Sequence, residues 1–406
     1  MYKFNPEEFI VEEIALDGTI FEVNKKIVQH QNVEGGKFCH FVLEKKLWNT
    51  AQALNAIARA IRGGRTRFNA AGAKDRNAIT VQLCSAFGAK PEQLLNIRVK
   101  DISINGAWVS DKKVELGDLL GNKFTITLTE QNCGKKISAE QIEKNAAANN
   151  YLFPNYFGYQ RFGSLRMNSH LVGKALLTEN WKEAVLNYLT YTDENERNQE
   201  AVAGRKKLAE ELDFKAALGY FSSHLKFERT MIGHLAQHPT DYIGAFRKLP
   251  RHTMLLFVHA FQSHLFNEVI KKKIADGTLF NLEKGEFYCE AEATYGFPQD
   301  EKVRVAETNL SESVINGKVF PLLNLVGYES VITDVEKELL EKEGMQQSQF
   351  KLKSIPELSS KGTLRASISP ISRFAIVEKE PAKVTFCLSS GNYATVALEY
   401  LLGKTT

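Results

Sequence analysis

Strand-like alternation at both ends of the chain flanks a middle with helical periodicity. Phe9 to Val23 alternates enough to predict strands broken by a turn at Asp17-Gly18, and Phe38 to Leu43 reads as a further strand. Asn49-Thr50 offers an N-cap to a helix over Ala51 to Arg62, with Leu54, Ile57, Ala58 and Ile61 on one face. Gly63-Gly64 should end it, because glycine tolerates a left-handed backbone. Thr66 to Ala71 and Ile79 to Phe87 are expected strands, joined by the loop Gly72 to Ala78. Ile97 to Ile104 and Lys123 to Thr129 follow as strands, and Ser138 opens a helix with Gln141 completing a capping box. From Ser169 to Ile274 the period is helical, most clearly over Trp181 to Tyr191 and His252 to Ile274. Thr363 to Ser367, Phe374 to Glu378 and Val384 to Leu388 are strand candidates before a last helix, Tyr393 to Leu402. The α+β ends around a helix-rich middle suggest one domain inserted into another.

The chain has 406 residues, 43% hydrophobic and 25% charged, enough for two or three packed domains. No run of eighteen apolar residues occurs, so no membrane span is expected. Glu7, Glu8, Glu12 and Glu13 stand where a signal peptide needs apolar residues, which points to a cytoplasmic protein. Five scattered cysteines (Cys39, Cys84, Cys133, Cys289, Cys387) form no Cys-x-x-Cys pair. They suit buried free thiols and give no local support for zinc or a redox couple. The net charge of +4 says little, but its distribution says more. Between Lys45 and Pro91 stand nine basic residues and one acid, Asp75. Such a block is either an electrostatic footprint for phosphates or a solvated basic face.

Four features could carry chemistry. Asp75 lies between Lys74 and Arg76, whose cations favour its charged form, and a carboxylate can attack an electrophilic carbon. The plainer reading of a Lys-Asp-Arg tripeptide is a carboxylate that merely holds a loop. Asn155 to Gly163 packs four aromatics among Asn, Gln, Arg and two glycines, with neither helical nor strand period. Exposed aromatics stack on bases and amides read base edges, whereas an aromatic mini-core is the commoner use. Gly391-Asn392-Tyr393-Ala394-Thr395 starts the last helix, where an anion or base edge could sit or where Asn392 could simply cap. Phe261 to Asn267 lies in a helix and reads mostly as core.

Taken together, these blocks resemble the TruD family of pseudouridine synthases, its archaeal branch in particular. Ala71 to Gln82 looks like that family's nucleophile motif, Asn155 to Gly163 like its second motif, and Asn5-Pro6-Glu7-Glu8-Phe9 like its N-terminal signature. Phe261 to Asn267 and Gly391 to Thr395 are similar to later blocks, in the right order, so the likeness runs from Lys3 to about Tyr400. It implies an α+β fold: a catalytic core with a mixed or antiparallel sheet over 1–180 and 368–406, and an inserted α+β TRUD domain over 181–367. It also implies isomerisation of uridine to pseudouridine in tRNA, at position 13, with Asp75 as the catalytic nucleophile and no cofactor or metal. Phe9, Asn155 and Tyr393 match positions that contact the target nucleotide, Phe157 an aromatic beside the base, and Lys3 and Lys74 motif lysines expected to reach the substrate in the same site. Arg59, Arg62, Arg65, Arg67, Arg76 and Arg161 are expected on the RNA backbone. Leu388 to Gly391 lacks the family's proline, which leaves that loop's geometry open. A zinc RNA deaminase would need His-x-Glu and Pro-Cys-x-x-Cys, and neither occurs. A non-catalytic RNA-binding protein would explain the basic block and the aromatics, yet not the lone acid among them.

Overall fold

The computed structural model describes residues 2–27, 32–163, 166–194, 196 and 198–404. Its strands are β1 (Phe9–Ile14), β2 (Phe38–Lys46), β3 (Phe68–Ala70), β4 (Ile79–Phe87), β5 (Ile102–Ser110) and β6 (Gly121–Leu128). They continue with β7 (Leu152–Pro154), β8 (Phe287–Glu290), β9 (Arg304–Val305), β10 (Val319–Leu325), β11 (Thr363–Ala366), β12 (Ile368–Pro370), β13 (Ser372–Lys379) and β14 (Ala382–Ser389). Among the described residues, eight form one sheet in the order β13-β14-β6-β1-β4-β2-β5, with β3 also paired to β4. Every pairing in it is antiparallel except β1 with β4, which run parallel with Ile10 opposite Ile79. Two antiparallel halves therefore meet at a parallel seam, the mixed sheet of an α+β fold.

The alternation that predicts these strands also sorts their faces. Phe41, Leu43 and Cys84 face the helix Thr50–Ala60, whose Ala53, Leu54, Ile57 and Ala58 complete a small core. On the other side of the seam, Phe9, Phe124, Ile126, Val384 and Phe386 join a larger core. That core also takes in Phe266 and Val269 of the long helix Arg251–Ala275, Phe320 of β10 and Leu398 of the last helix. A separate helical core gathers residues from Val172 to Leu358. The helix Ser169–Leu177 belongs to it although it precedes residue 181, while β8, β10 and β11 pack with the larger core. Among the described residues no helix is long and apolar enough to cross a membrane. All five cysteines are buried and free, as their spacing suggests.

Several local expectations change. Beyond the turn at Asp17-Gly18 the second strand shrinks to one bridge, Ile14 to Ile20. The helix after Asn49 runs Thr50–Ala60, and Arg62 rather than a glycine takes the left-handed conformation, at φ 53°. Thr66 to Ala71 becomes a short 3-10 turn and three strand residues, and the strand expected at Ile97 to Ile104 sits at Ile102–Ser110. Ser138 caps its helix by accepting from the Gln141 N–H, but the Gln141 side chain donates forward to Asn145 instead of closing the box. The last helix is Ala394–Leu401; its N-cap is Tyr393, and Asn392 donates instead to Ser369 Oγ.

Candidate active site

The parallel seam places two chain segments at one end of the sheet. Phe9 opens β1, and the loop Gly72 to Ala78 leads into β4 beside it. A cleft of about 470 Å³ lies there. Phe9 and Val11 of β1 and Asn122 and Phe124 of β6 line it, each pair two residues apart and so on one face. The loop Ala71 to Asp75, Gln160, and Ser390 to Thr395 at the start of the last helix close the remaining walls. Four of the matched motifs, far apart in sequence, thus reach one cleft.

The loop Gly72 to Ala78 is anchored mainly through its backbone. Thr50 Oγ1 accepts the Lys74 N–H at 2.9 Å and donates to Gln82 Oε1 at 2.9 Å, while Gln82 Nε2 donates to the Gly72 carbonyl at 3.0 Å. Lys45, 1% exposed, donates from Nζ to the carbonyls of Trp48 (2.7 Å), Lys74 (3.3 Å) and Asp75 (2.9 Å). Its three N–H groups meet three oxygens. Desolvation pushes the Lys45 ammonium down to about 8, against the pull of Asp75. Lys74 does not extend into the cleft as expected. Its Nζ lies 2.7 Å from Glu13 Oε2, with both side chains buried, because β1 delivers Glu13 beneath the loop. Burial raises the Glu13 carboxyl, and Lys74 opposes the rise. Asp75 itself is exposed, and its carboxylate makes no hydrogen bond or ion pair among the described residues. These contacts hold the backbone at Gly72, Lys74 and Asp75 and leave the Asp75 carboxylate free.

The aromatic motif is built around a buried arginine. Arg365, on β11, stacks its guanidinium 4.3 Å from the centre of the Phe157 ring. It donates to Asn155 Oδ1 at 2.7 Å and to the Gly391 carbonyl at 3.2 Å. Burial lowers its guanidinium to about 10, with Asp300 pulling the other way. Arg161 lies over the same ring at 5.3 Å and donates to Ser263 Oγ. Asn267 brackets the Phe157 backbone, accepting its N–H and donating to its carbonyl, each at 2.9 Å. Phe157 meets Phe266 and Tyr393 edge-on. Phe157 and Asn155 are therefore buried one layer behind the cleft, and Tyr393 stands between Phe157 and the opening. Gly158 permits this: a Cβ there would lie 2.7 Å from Tyr393 Cδ1.

The remaining expected residues divide. Phe9 and Tyr393 line the cleft. Lys3 lines a neighbouring pocket with Tyr2, Tyr159 and Glu399. Arg65, Arg67 and Arg76 each donate to a backbone carbonyl, of Phe68, Phe87 and Leu47. Arg59 and Arg62 are exposed. With Lys45 and Lys74 buried and Lys46 paired to Glu7, the basic block is smaller at the surface than it reads in sequence. Four buried polar groups at or behind the cleft lie outside the motifs. Lys45, Glu13 and Arg365 are buried charges, and Asn122 carries a buried Oδ1 without a partner. Thr395 Oγ1, inside a matched block, is likewise buried and unpartnered beside the cleft. The sequence signal for the first two was a charge in an otherwise apolar strand position, at Glu13 in β1 and Lys45 in β2.

The chain was compared with known proteins. The family model for tRNA pseudouridine synthase D (TruD) matches residues 2–400. A Methanopyrus kandleri protein named "probable tRNA pseudouridine synthase D" is 34% identical over 91% of this chain and 87% of its own length. A Methanococcus maripaludis protein of the same name is 34% identical over 98% of this chain and 94% of its own. A Methanosarcina mazei crystal structure described as a tRNA pseudouridine synthase D superposes with a TM-score of 0.76 at 30% identity. It covers 98% of this chain and 92% of its own. The match spans the sheet, the cleft and the helical region alike, and this chain belongs to the TruD family of tRNA pseudouridine synthases.

Proposed function

We propose that the cleft binds a uridine flipped out of tRNA, at position 13 as the family likeness implies, and that Asp75 initiates its isomerisation. The observation that carries this reading is the free carboxylate of Asp75 on a loop anchored at Gly72, Lys74 and the Asp75 backbone, at an aromatic-walled cleft. A base stacked in RNA exposes neither C1′ nor C5 to an enzyme group, so it must leave the stack. Phe9, Phe124 and Tyr393 offer rings to receive it. Uracil presents an N3–H donor and two carbonyl acceptors, and Asn122 Oδ1 and the Thr395 hydroxyl, buried and unpartnered beside the cleft, are an acceptor and a donor of matching kind.

Asp75 then acts on the glycosidic bond, by attack at C1′ or by removing a ribose proton. The C1′–N1 bond breaks, the base turns, C1′ bonds to C5, and the C5 proton moves to N1 through solvent. Phe157, Asn155 and Arg365 hold the Tyr393 wall from behind, while exposed Arg59 and Arg62 meet phosphates. In this reading residues 1–180 and 368–406 carry the chemistry and 181–367 form the inserted domain.

The test is Asp75→Asn, incubated pure with unmodified tRNA and mapped for pseudouridine by chemical derivatisation. The variant should bind tRNA as the parent does and form no product. Turnover above a few per cent of the parent rate would remove Asp75 from the chemistry, and product at a uridine other than 13 would overturn the site. Binding without product by the parent itself would leave only an RNA-binding protein.

A further inference from the structure

Beside the catalytic loop, on the side away from the aromatic cleft, lies a second cleft of about 420 Å³. Its floor is one face of the helix Thr50–Ala60, where Gln52, Asn55, Ala56 and Arg59 recur at helical spacing. Its walls are Leu47, Trp48 and Arg76. Asp75 lines the first cleft and Arg76 this one, so two consecutive residues, about 3.8 Å apart at Cα, serve the two clefts.

Three observations mark it as a built site. Leu47 is held at φ 62° with its side chain 46% exposed. A bulky residue in the left-handed region is strained, and strain of this kind persists where the surroundings enforce it. Here they do: the Leu47 carbonyl accepts from Arg76 Nε at 3.2 Å, which also fixes the direction of the arginine. Trp48 is half-buried and anchored by its indole N–H on the Lys100 carbonyl at 3.2 Å, which leaves its apolar surface at the cleft. Lys45 joins the Trp48 carbonyl to those of Lys74 and Asp75, so the platform and the catalytic loop share one ammonium group.

We infer that this second cleft takes a nucleotide of the tRNA next to the target uridine, deepening the function proposed above. Its base packs on Trp48 and Leu47, its edge meets the amides of Gln52 and Asn55, and its phosphate meets Arg59 and Arg76. Apolar surface, amides and cations in one cleft fit a nucleotide, and the position fits a strand whose neighbouring nucleotide has swung to Asp75. Occupancy also bears on chemistry, since pressure on Trp48 reaches the Asp75 backbone through Lys45.

The test uses the full chain and a tRNA transcript carrying one 4-thiouridine beside the uridine that the parent enzyme modifies. Irradiation should crosslink that nucleotide to residues between Leu47 and Arg59. Arg59→Gln and Asn55→Ala alter exposed helix positions and should melt as the parent does. Trp48→Leu should weaken transcript binding about tenfold, or about 1.4 kcal/mol. Arg59→Gln should reduce the salt slope of log K by about 0.7 to 0.9. If the parent forms pseudouridine while the crosslink falls elsewhere and Asn55→Ala and Arg59→Gln bind with parental affinity and slope, the subsite and the phosphate contact given to Arg59 are wrong and the reaction proposed for Asp75 stands. A parent without product overturns the function itself. Because Asn55 and Arg59 lie on the surface, a Trp48→Leu variant that fails to fold leaves the outcome to them.

Discussion

Replacing Lys74 with methionine removes the cation that compensates Glu13 while keeping a long, flexible side chain in its place. The carboxylate is fully buried and the ammonium nearly so, 2.7 Å apart. Their attraction is about 6 kcal/mol at an effective dielectric of about 20, and desolvation of both ions offsets much of it. Deleting one partner leaves that desolvation cost with no compensation, which typically costs about 3–5 kcal/mol. The other polar contact of Glu13 is the Leu83 N–H at 2.9 Å, too little to replace an ammonium. The loss should depend on pH. Burial raises the Glu13 carboxyl, and without Lys74 it rises further. A carboxyl group raised in the folded state destabilises while ionised, above its folded pKa, and the penalty fades as the pH falls and the folded protein takes up the proton. Urea unfolding across pH of about 5 to 8 should show the deficit of Lys74→Met largest at the alkaline end. Glu13→Gln with Lys74→Met should recover most of the stability, since a neutral amide still accepts from Leu83. The reasoning fails if Lys74→Met unfolds with the parent at every pH and instead loses tRNA affinity. Lys74 would then reach RNA rather than Glu13.

Phe157→Ala should lower stability by about 3–5 kcal/mol in urea or thermal melting, because the ring is enclosed by Arg365, Arg161, Phe266 and Tyr393. A stable variant with a slow single-turnover rate would show instead that the ring stacks on the base. Gly158→Ala places a methyl 2.7 Å from the Tyr393 ring and 2.8 Å from Gln160 Oε1, so it should cost about 1–3 kcal/mol and slow turnover by displacing Tyr393; parental rate and melting would contradict that. The rate of pseudouridine formation should fall as pH rises through about 8, where Lys45 loses its proton. A neutral amine has two N–H groups for three carbonyls, and the desolvation cost of the buried ammonium, present below that pH, is relieved at the same time. Stability should therefore not fall with the Lys45 proton although rate does, and Lys45→Met should be slow at every pH without that limb.

How much was legible follows from the range over which each cause acts. Strand alternation in Ile79–Phe87, the helical face of Ala53, Leu54, Ile57 and Ala58, and the scattered cysteines depend on local spacing, so the chain alone determined them. The motif around Asp75 was legible too, because a candidate nucleophile and its loop are contiguous. Turn details were not. Whether Arg62 or Gly63 turns left-handed depends on what the next segment packs against, and propensity yields to that packing. The partners of the charges were the least legible part. Lys74 and Arg76 look alike as neighbours of Asp75, yet one is drawn inward by Glu13 while the other lies at the surface against Leu47. Lys45, Glu13 and Arg365 came to the cleft only when the pairings of β2 and β1 with β4, and β11, carried them there. Sequence left Phe157 open between a ring stacked on a base and a mini-core, and it is covered by Arg365, some two hundred residues downstream. Spacing along the chain determines which residues share a face, but a buried charge must find its partner wherever the fold supplies one, and only tertiary structure decides where that is.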